Sequence, residues 1–274
     1  MQGNEDDLPG DLAGRKGLYL GNKGTNLLAL REEFESGGNW LFRWRSYLPL
    51  VLLALVLVVM EDFTYIGNSQ TLDVVWEVCC LLVSLSGLAF RAFTVGHTPR
   101  GTSGRNTVAQ MADVLNTTGV YSIVRHPLYV GNFIIMLGIS LFPHLWWFTV
   151  IYVLTFWLYY ERIMCAEELF LHQKFGDQFT AWAEKTPPFI PNLRLWKPSD
   201  LPFSFRNVLR REYNGLFAIV LTYFLLEVRG DLAVEGRLMV EPWWAILLGI
   251  SFVVWIALRT LKRKTTLLDV EGRN

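Results

Sequence analysis

Long apolar runs alternate with polar, charged stretches along this 274-residue chain. A helix needs about 20 apolar residues to cross roughly 30 Å of hydrocarbon. Such runs lie at 47–63, 74–93, 144–163, 213–228 and 242–258, with a shorter sixth at 128–142. Little more than Pro143 separates this sixth run from the one at 144–163, which predicts a tight helical hairpin whose shorter arm tilts or begins among the headgroups. The expected fold is all-α, a polytopic membrane protein of about six transmembrane helices.

The basic residues set an orientation, because short loops rich in Lys and Arg stay in the cytosol. Arg15, Lys16, Lys23, Arg31, Arg43 and Arg45 precede the first run, and eight basic residues lie between Arg162 and Arg211. The 64–73 loop has none. Six crossings with both termini cytosolic satisfy every loop, and the Pro143 turn then faces outside. Residues 1–46 read as a polar tail followed by an interfacial helix, in which Leu27, Leu30, Phe34, Trp40, Phe42 and Trp44 stand among charges. Residues 47–191 read as a membrane core, and 192–274 as a cytosolic connector with two further spans.

Composition narrows the class. Apolar residues make up 52% of the chain, mean hydropathy is positive and the formal net charge is zero, so no basic field argues for nucleic acid. Cys79, Cys80 and Cys165 form neither a disulfide framework nor a metal pattern, and no metal site is expected. The first forty residues lack a basic start followed by an apolar stretch and a cleavage site, so no removable signal peptide is expected. No protein partner is evident.

Two cytosolic stretches are too polar to be mere connectors. In the first, Pro127 suits the opening turn of a helix, which puts Arg125 and His126 at a helix N-terminus where free N–H groups attract anions. Tyr129 adds an aromatic face one turn on, and Gly131 allows close approach to the backbone. In the second, a helix continuing beyond 163 would align Glu161, Glu168, His172 and Phe175 on one stripe, with Glu167 beside them. Carboxylates this close to hydrocarbon are costly without a partner or a task. The plainer reading is a positive-inside arginine before a helix-starting proline, and a solvated acidic face.

Taken together, Arg125-His126-Pro127-x-Tyr129-x-Gly131 and, beyond the hairpin, Glu167-Glu168-x-x-Leu171-x-x-x-Phe175-Gly176-x-x-Phe179-x-x-Trp182 closely resemble the isoprenylcysteine carboxyl methyltransferase family. The resemblance covers residues 119–191. It implies S-adenosylmethionine held between the two motifs without a dinucleotide-binding domain, contacted by His126, Pro127, Tyr129, Gly131, Glu167 and Glu168. Where the family usually carries tyrosines after Phe-Gly, this chain has Phe179 and Trp182, which offer no hydroxyl. Arg194 is the candidate for a further arginine of the family. The polar segment 96–119 looks like the bacterial lipid A 1-phosphate methyltransferase branch, with Arg100, Ser103, Arg105, Asn106 and Arg194 toward the lipid and Arg125 and Arg105 orienting its anionic group.

An anionic phosphate or carboxylate oxygen needs no general base, so positioning would carry the chemistry. The implied partner is a lipid in the bilayer, and the bacterial inner membrane is the expected location. Carboxyl O-methylation of a prenylcysteine-like lipid is the alternative, as is N-methylation of phosphatidylethanolamine with His126 or His172 as base. A transport or structural membrane protein would instead place polar groups near mid-bilayer, where the runs are almost purely apolar apart from Glu77.

Overall fold

A computed structural model describes residues 33–34, 36–99, 112–238 and 240–273. These form helices α1 (Ser36–Trp44), α2 (Leu48–Val59), α3 (Gln70–Gly96), α4 (Pro127–Leu141), α5 (Trp146–Phe175), α6 (Asp177–Ala183), α7 (Phe205–Glu235) and α8 (Pro242–Lys264). Among the described residues no strand is present; the nearest feature is an isolated bridge between Gly119 and Lys197.

Local sequence explains where these helices begin and end. Pro127 opens α4 and Pro242 opens α8, each at a position whose missing N–H costs nothing. Ser204 caps α7 by accepting from the Asn207 N–H, and Gly236 ends it in the left-handed conformation that lets the chain leave a helix. Gly176, at φ +53°, ends α5. The α4–α5 hairpin forms as the sequence predicts, turning at Phe142–Leu145, and α5 runs unbroken past its apolar stretch to Phe175.

Every expected apolar run coincides with a helix, yet the expected count of six crossings is not reached on length and apolarity alone. Among the described residues two helices, α3 and α8, satisfy both; α1 and α2, bent by 69° at their junction, would supply a third if they form one span. Helix α4 has only 15 residues, α5 is built heavily from Trp and Tyr, and α7 carries Glu227 and Arg229. The expectation of nearly uncharged interiors is also corrected. Glu77 of α3 and Glu227 of α7 are both buried, and Arg91 lies within the third helix as well.

The core is a seam between α3, α4 and α7. A Cβ on Gly138 of α4 would overlap Ser84 Oγ and the Cys80 carbonyl of α3, so glycine sets how closely these two helices approach. The Ser84 hydroxyl donates to the Ile135 carbonyl at 2.7 Å and shares a hydrogen bond with Tyr223 of α7 at 2.9 Å. Trp76 Nε1 donates to the Leu141 carbonyl, and Tyr152 of α5 donates to the Phe133 carbonyl of α4. These polar ties replace the hydrophobic drive that is missing between helices surrounded by lipid.

Candidate active site

The segment before α4 is clamped from below. Arg125 N–H donates to the Pro187 carbonyl at 2.9 Å and His126 N–H to the Pro188 carbonyl at 3.2 Å, while the Asn192 N–H bonds the Ile123 carbonyl. The Pro187–Pro188 loop thereby fixes the N-terminus of α4 beside the C-terminal half of α5. Sequence reasoning assigned it no role, because its contribution comes from backbone carbonyls.

This clamp lets the two charged motifs meet. His126 faces a carboxylate with each ring nitrogen, Nε2 toward Glu168 Oε1 at 2.9 Å and Nδ1 toward Glu167 Oε2 at 3.5 Å. Arg125 Nη1 donates to Glu168 Oε2 at 2.7 Å, and the Tyr129 hydroxyl donates to Glu167 Oε2 at 2.9 Å. Burial opposes charge on His126, but hydrogen bonds and charge from Glu167 and Glu168 outweigh it and push its pKa up to about 9. Glu167 also resists burial, since bonds from His126 and Tyr129 hold its carboxyl below the usual carboxylate range. At neutral pH the knot is therefore two cations and two anions, mutually neutralised.

The knot opens onto a cavity of about 630 Å³. Arg125, His126, Pro127, Tyr129 and Glu167 line it. Glu168 stands behind them, holding Arg125 and His126 in place. Gly131 also lies off the lining: a Cβ there would overlap Arg91 Cγ, so this glycine makes room for Arg91. Arg125 Nε is buried and has no acceptor among the described residues. Trp182 lines the cavity and donates its indole N–H to the Tyr121 carbonyl at 3.1 Å, which gives the position a hydrogen bond without a tyrosine hydroxyl. Phe179 is buried behind it, edge-on to both Trp182 and His172.

Other expected residues are not gathered here. Arg100, Ser103, Arg105 and Asn106 lie outside the described residues. Arg194 is exposed in the Leu193–Leu195 turn, and His172 is exposed on α5; neither lines the cavity. In their place the fold brings Arg91 of α3, Asn132 of α4 and Glu212 of α7, which sequence reasoning passed over. The signal was available, since a lone arginine inside an apolar run is costly unless it has a function. Glu212 carried no such signal, because it sits in a charged stretch before its run.

Cofactor fit can be judged from the donor set. A methyl donor of the S-adenosylmethionine class presents an amino-acid end, a ribose and a sulfonium, which call for carboxylate acceptors, a cationic donor and aromatic surface. Glu167, Arg125 and Tyr129 on the cavity wall supply these, so the residues present fit the group.

Part of the chain is similar to known proteins. Residues 78–178 match the phospholipid methyltransferase family. A nickel-cobalt-cadmium resistance protein of Alcaligenes xylosoxydans xylosoxydans is 32% identical over 156 residues, 56% of this chain and 65% of that protein. A cobalt-zinc-cadmium resistance protein of Cupriavidus metallidurans is 33% identical over 156 residues, covering 56% and 64%. A protein-S-isoprenylcysteine O-methyltransferase of Schizosaccharomyces pombe is 36% identical over 78 residues, 28% of this chain and 33% of that enzyme. The chain thus spans less than two thirds of each of these relatives. No solved structure matches it. Both charged motifs that form the knot fall inside the matched segment, and over it the chain is similar to phospholipid methyltransferases and, in part, to isoprenylcysteine O-methyltransferases.

Proposed function

We propose that this protein transfers a methyl group from S-adenosylmethionine to an anionic oxygen of a lipid-borne acceptor at the inner face of a membrane, a prenylcysteine-type carboxylate being the acceptor with most support. The observation that carries this reading is the His126–Glu167–Glu168–Arg125 knot at the mouth of a cavity whose far wall is apolar, with Ile135, Met136 and Ile139 of α4 facing Ala218 and Ile219 of α7. A charged end and a greasy end in one cavity suit a polar donor meeting a lipid.

When bound, S-adenosylmethionine supplies a methyl group already activated on sulfur. The chain's own residues then have three tasks. Glu167, kept ionised by His126 and Tyr129, accepts hydrogen bonds from the donor's hydroxyl or ammonium groups. Arg125, on the cavity wall, offers a guanidinium N–H not taken by Glu168 to the donor's carboxylate, and Tyr129 sets an aromatic surface beside the sulfonium. Glu168, Pro127 and the proline-loop carbonyls keep these groups in register, and the surrounding helices exclude water. His126, held as a cation between two carboxylates, is a poor general base, which favours an oxygen anion over an amine acceptor.

The lipid A phosphate expected from the sequence rests on Arg100, Ser103, Arg105 and Asn106, outside the described residues, whereas relatives named as isoprenylcysteine O-methyltransferases support the carboxylate. Six crossings, cytosolic termini and the bacterial inner membrane belong to the same proposal. The test is calorimetric binding of S-adenosylmethionine to detergent-purified protein, then transfer of labelled methyl to a lipid extract. Label in a base-labile carboxyl ester is the expected result. Absence of cofactor binding would remove the enzyme reading, and label in a base-stable amine would move the acceptor to an aminophospholipid.

A further inference from the structure

Beyond the knot, the cavity wall carries a second ion pair. Arg91 of α3 gives Nε to Glu212 Oε2 at 3.0 Å and Nη2 to Glu212 Oε1 at 2.9 Å, a side-on, two-pronged pair. Arg91 Nη1 donates to Asn132 Oδ1 at 2.6 Å and lies 3.5 Å from the Leu128 carbonyl. Its side chain is 18% exposed and that of Glu212 only 7%, and both line the cavity. The space for Arg91 is created by Gly131, one turn from the knot, so the guanidinium sits where the polar mouth gives way to the apolar wall of α4 and α7.

An arginine has five N–H donors. Glu212 takes two, Asn132 one and the Leu128 carbonyl a fourth, which leaves one hydrogen, on Nη2, at the terminal edge. Charge decides what that edge can hold. Glu212 already balances the guanidinium, so a ligand meets a directed hydrogen-bonding edge and little surplus positive charge. A carboxylate adds one negative charge beside Glu212, while a phosphate monoester adds about 1.5–2 at pH 7. In so buried a place the second arrangement is repelled much more strongly.

Resting on the methyl-transfer reading above, we propose that Arg91 anchors the headgroup of the lipid acceptor, that Glu212 is its positioning residue, and that the pair selects a monoanionic carboxylate over a phosphate monoester. Glu212 and the α7 part of the apolar wall lie outside the matched residues 78–178, while Arg91 and the α4 part lie within them. The chain of the acceptor then runs between α4 and α7 past Gly215 and Ala218.

The experiment is direct binding to the detergent-purified protein of three probes sharing one tail: N-acetyl-S-farnesylcysteine, its primary amide and farnesyl phosphate. The wild type is expected to hold the carboxylate about 10- to 100-fold more tightly than the amide, the range of a charge-assisted hydrogen bond. Arg91→Gln should lose that preference with S-adenosylmethionine affinity changed less than about twofold, because Arg91 makes no bond to the knot. Glu212→Gln should shift the balance toward farnesyl phosphate by about tenfold, which mere loosening of the helix pair would not do. If Arg91→Gln does not fold, Arg91→Gln/Glu212→Gln, which leaves no uncompensated buried charge, gives the same reading. Carboxylate preference surviving the loss of Arg91, or Glu212→Gln leaving the phosphate disfavoured, would overturn the proposal. Failure of the wild type to bind S-adenosylmethionine would sink the methyl-transfer reading and leave the anchor to be judged by the three probes.

Discussion

His126 should make the protein's stability depend on pH in a specific window. Its pKa rises from the ordinary 6.5 to about 9 because the two glutamates facing its ring outweigh the burial that opposes its charge. At about 1.4 kcal/mol per pH unit this displacement corresponds to about 3 kcal/mol. The sign follows from the direction. A group whose folded pKa is raised gives its full stabilisation below the unfolded value near 6.5, loses it as the pH climbs, and gives none above about 9. For a chain of this size about 3 kcal/mol moves Tm by roughly 6–12 °C. Thermal unfolding in detergent, followed by tryptophan fluorescence from pH 6 to 10, should show the wild type falling through that window. His126→Gln should start lower, stay level across it and meet the wild type near pH 9.5. Parallel curves for the two proteins would show that His126 is not held as a cation by these glutamates.

Glu168→Ala strands Arg125 and His126 together, so a loss of about 2–4 kcal/mol in stability and at least tenfold weaker S-adenosylmethionine binding are expected, whereas Glu167→Gln should weaken cofactor binding with a smaller effect on Tm. Calorimetry and melting on both variants check this, and equal behaviour would contradict the division between wall and support. Gly138→Ala inserts a methyl where Ser84 and the Cys80 carbonyl already lie, and should cost about 1–3 kcal/mol by thermal unfolding. Trp182→Phe removes the donor to the Tyr121 carbonyl and should cost about 1 kcal/mol while weakening cofactor affinity; Trp182→Tyr restoring that affinity would show that a hydroxyl can do the same work.

The sequence by itself determined the all-helical membrane character, the Pro143 hairpin and the two charged motifs, because each is written in a local pattern: apolar length, a turn proline, or side chains a helical turn apart. The short hairpin also leaves the Pro127 end of α4 beside the C-terminal half of α5, where His126 meets Glu168. Only the tertiary structure decided that Glu168 supports the cavity wall from behind, that Gly131 accommodates Arg91, and that Glu77 and Glu227 are both buried. Those outcomes depend on α3 and α7 packing against α4, partners remote in sequence, and no periodicity within one helix encodes which buried charge will face which. The same reason hid Arg91 and Glu212: an ion pair spanning 121 residues is settled by helix packing, where the cost of a bare charge in hydrocarbon selects the one arrangement that neutralises it.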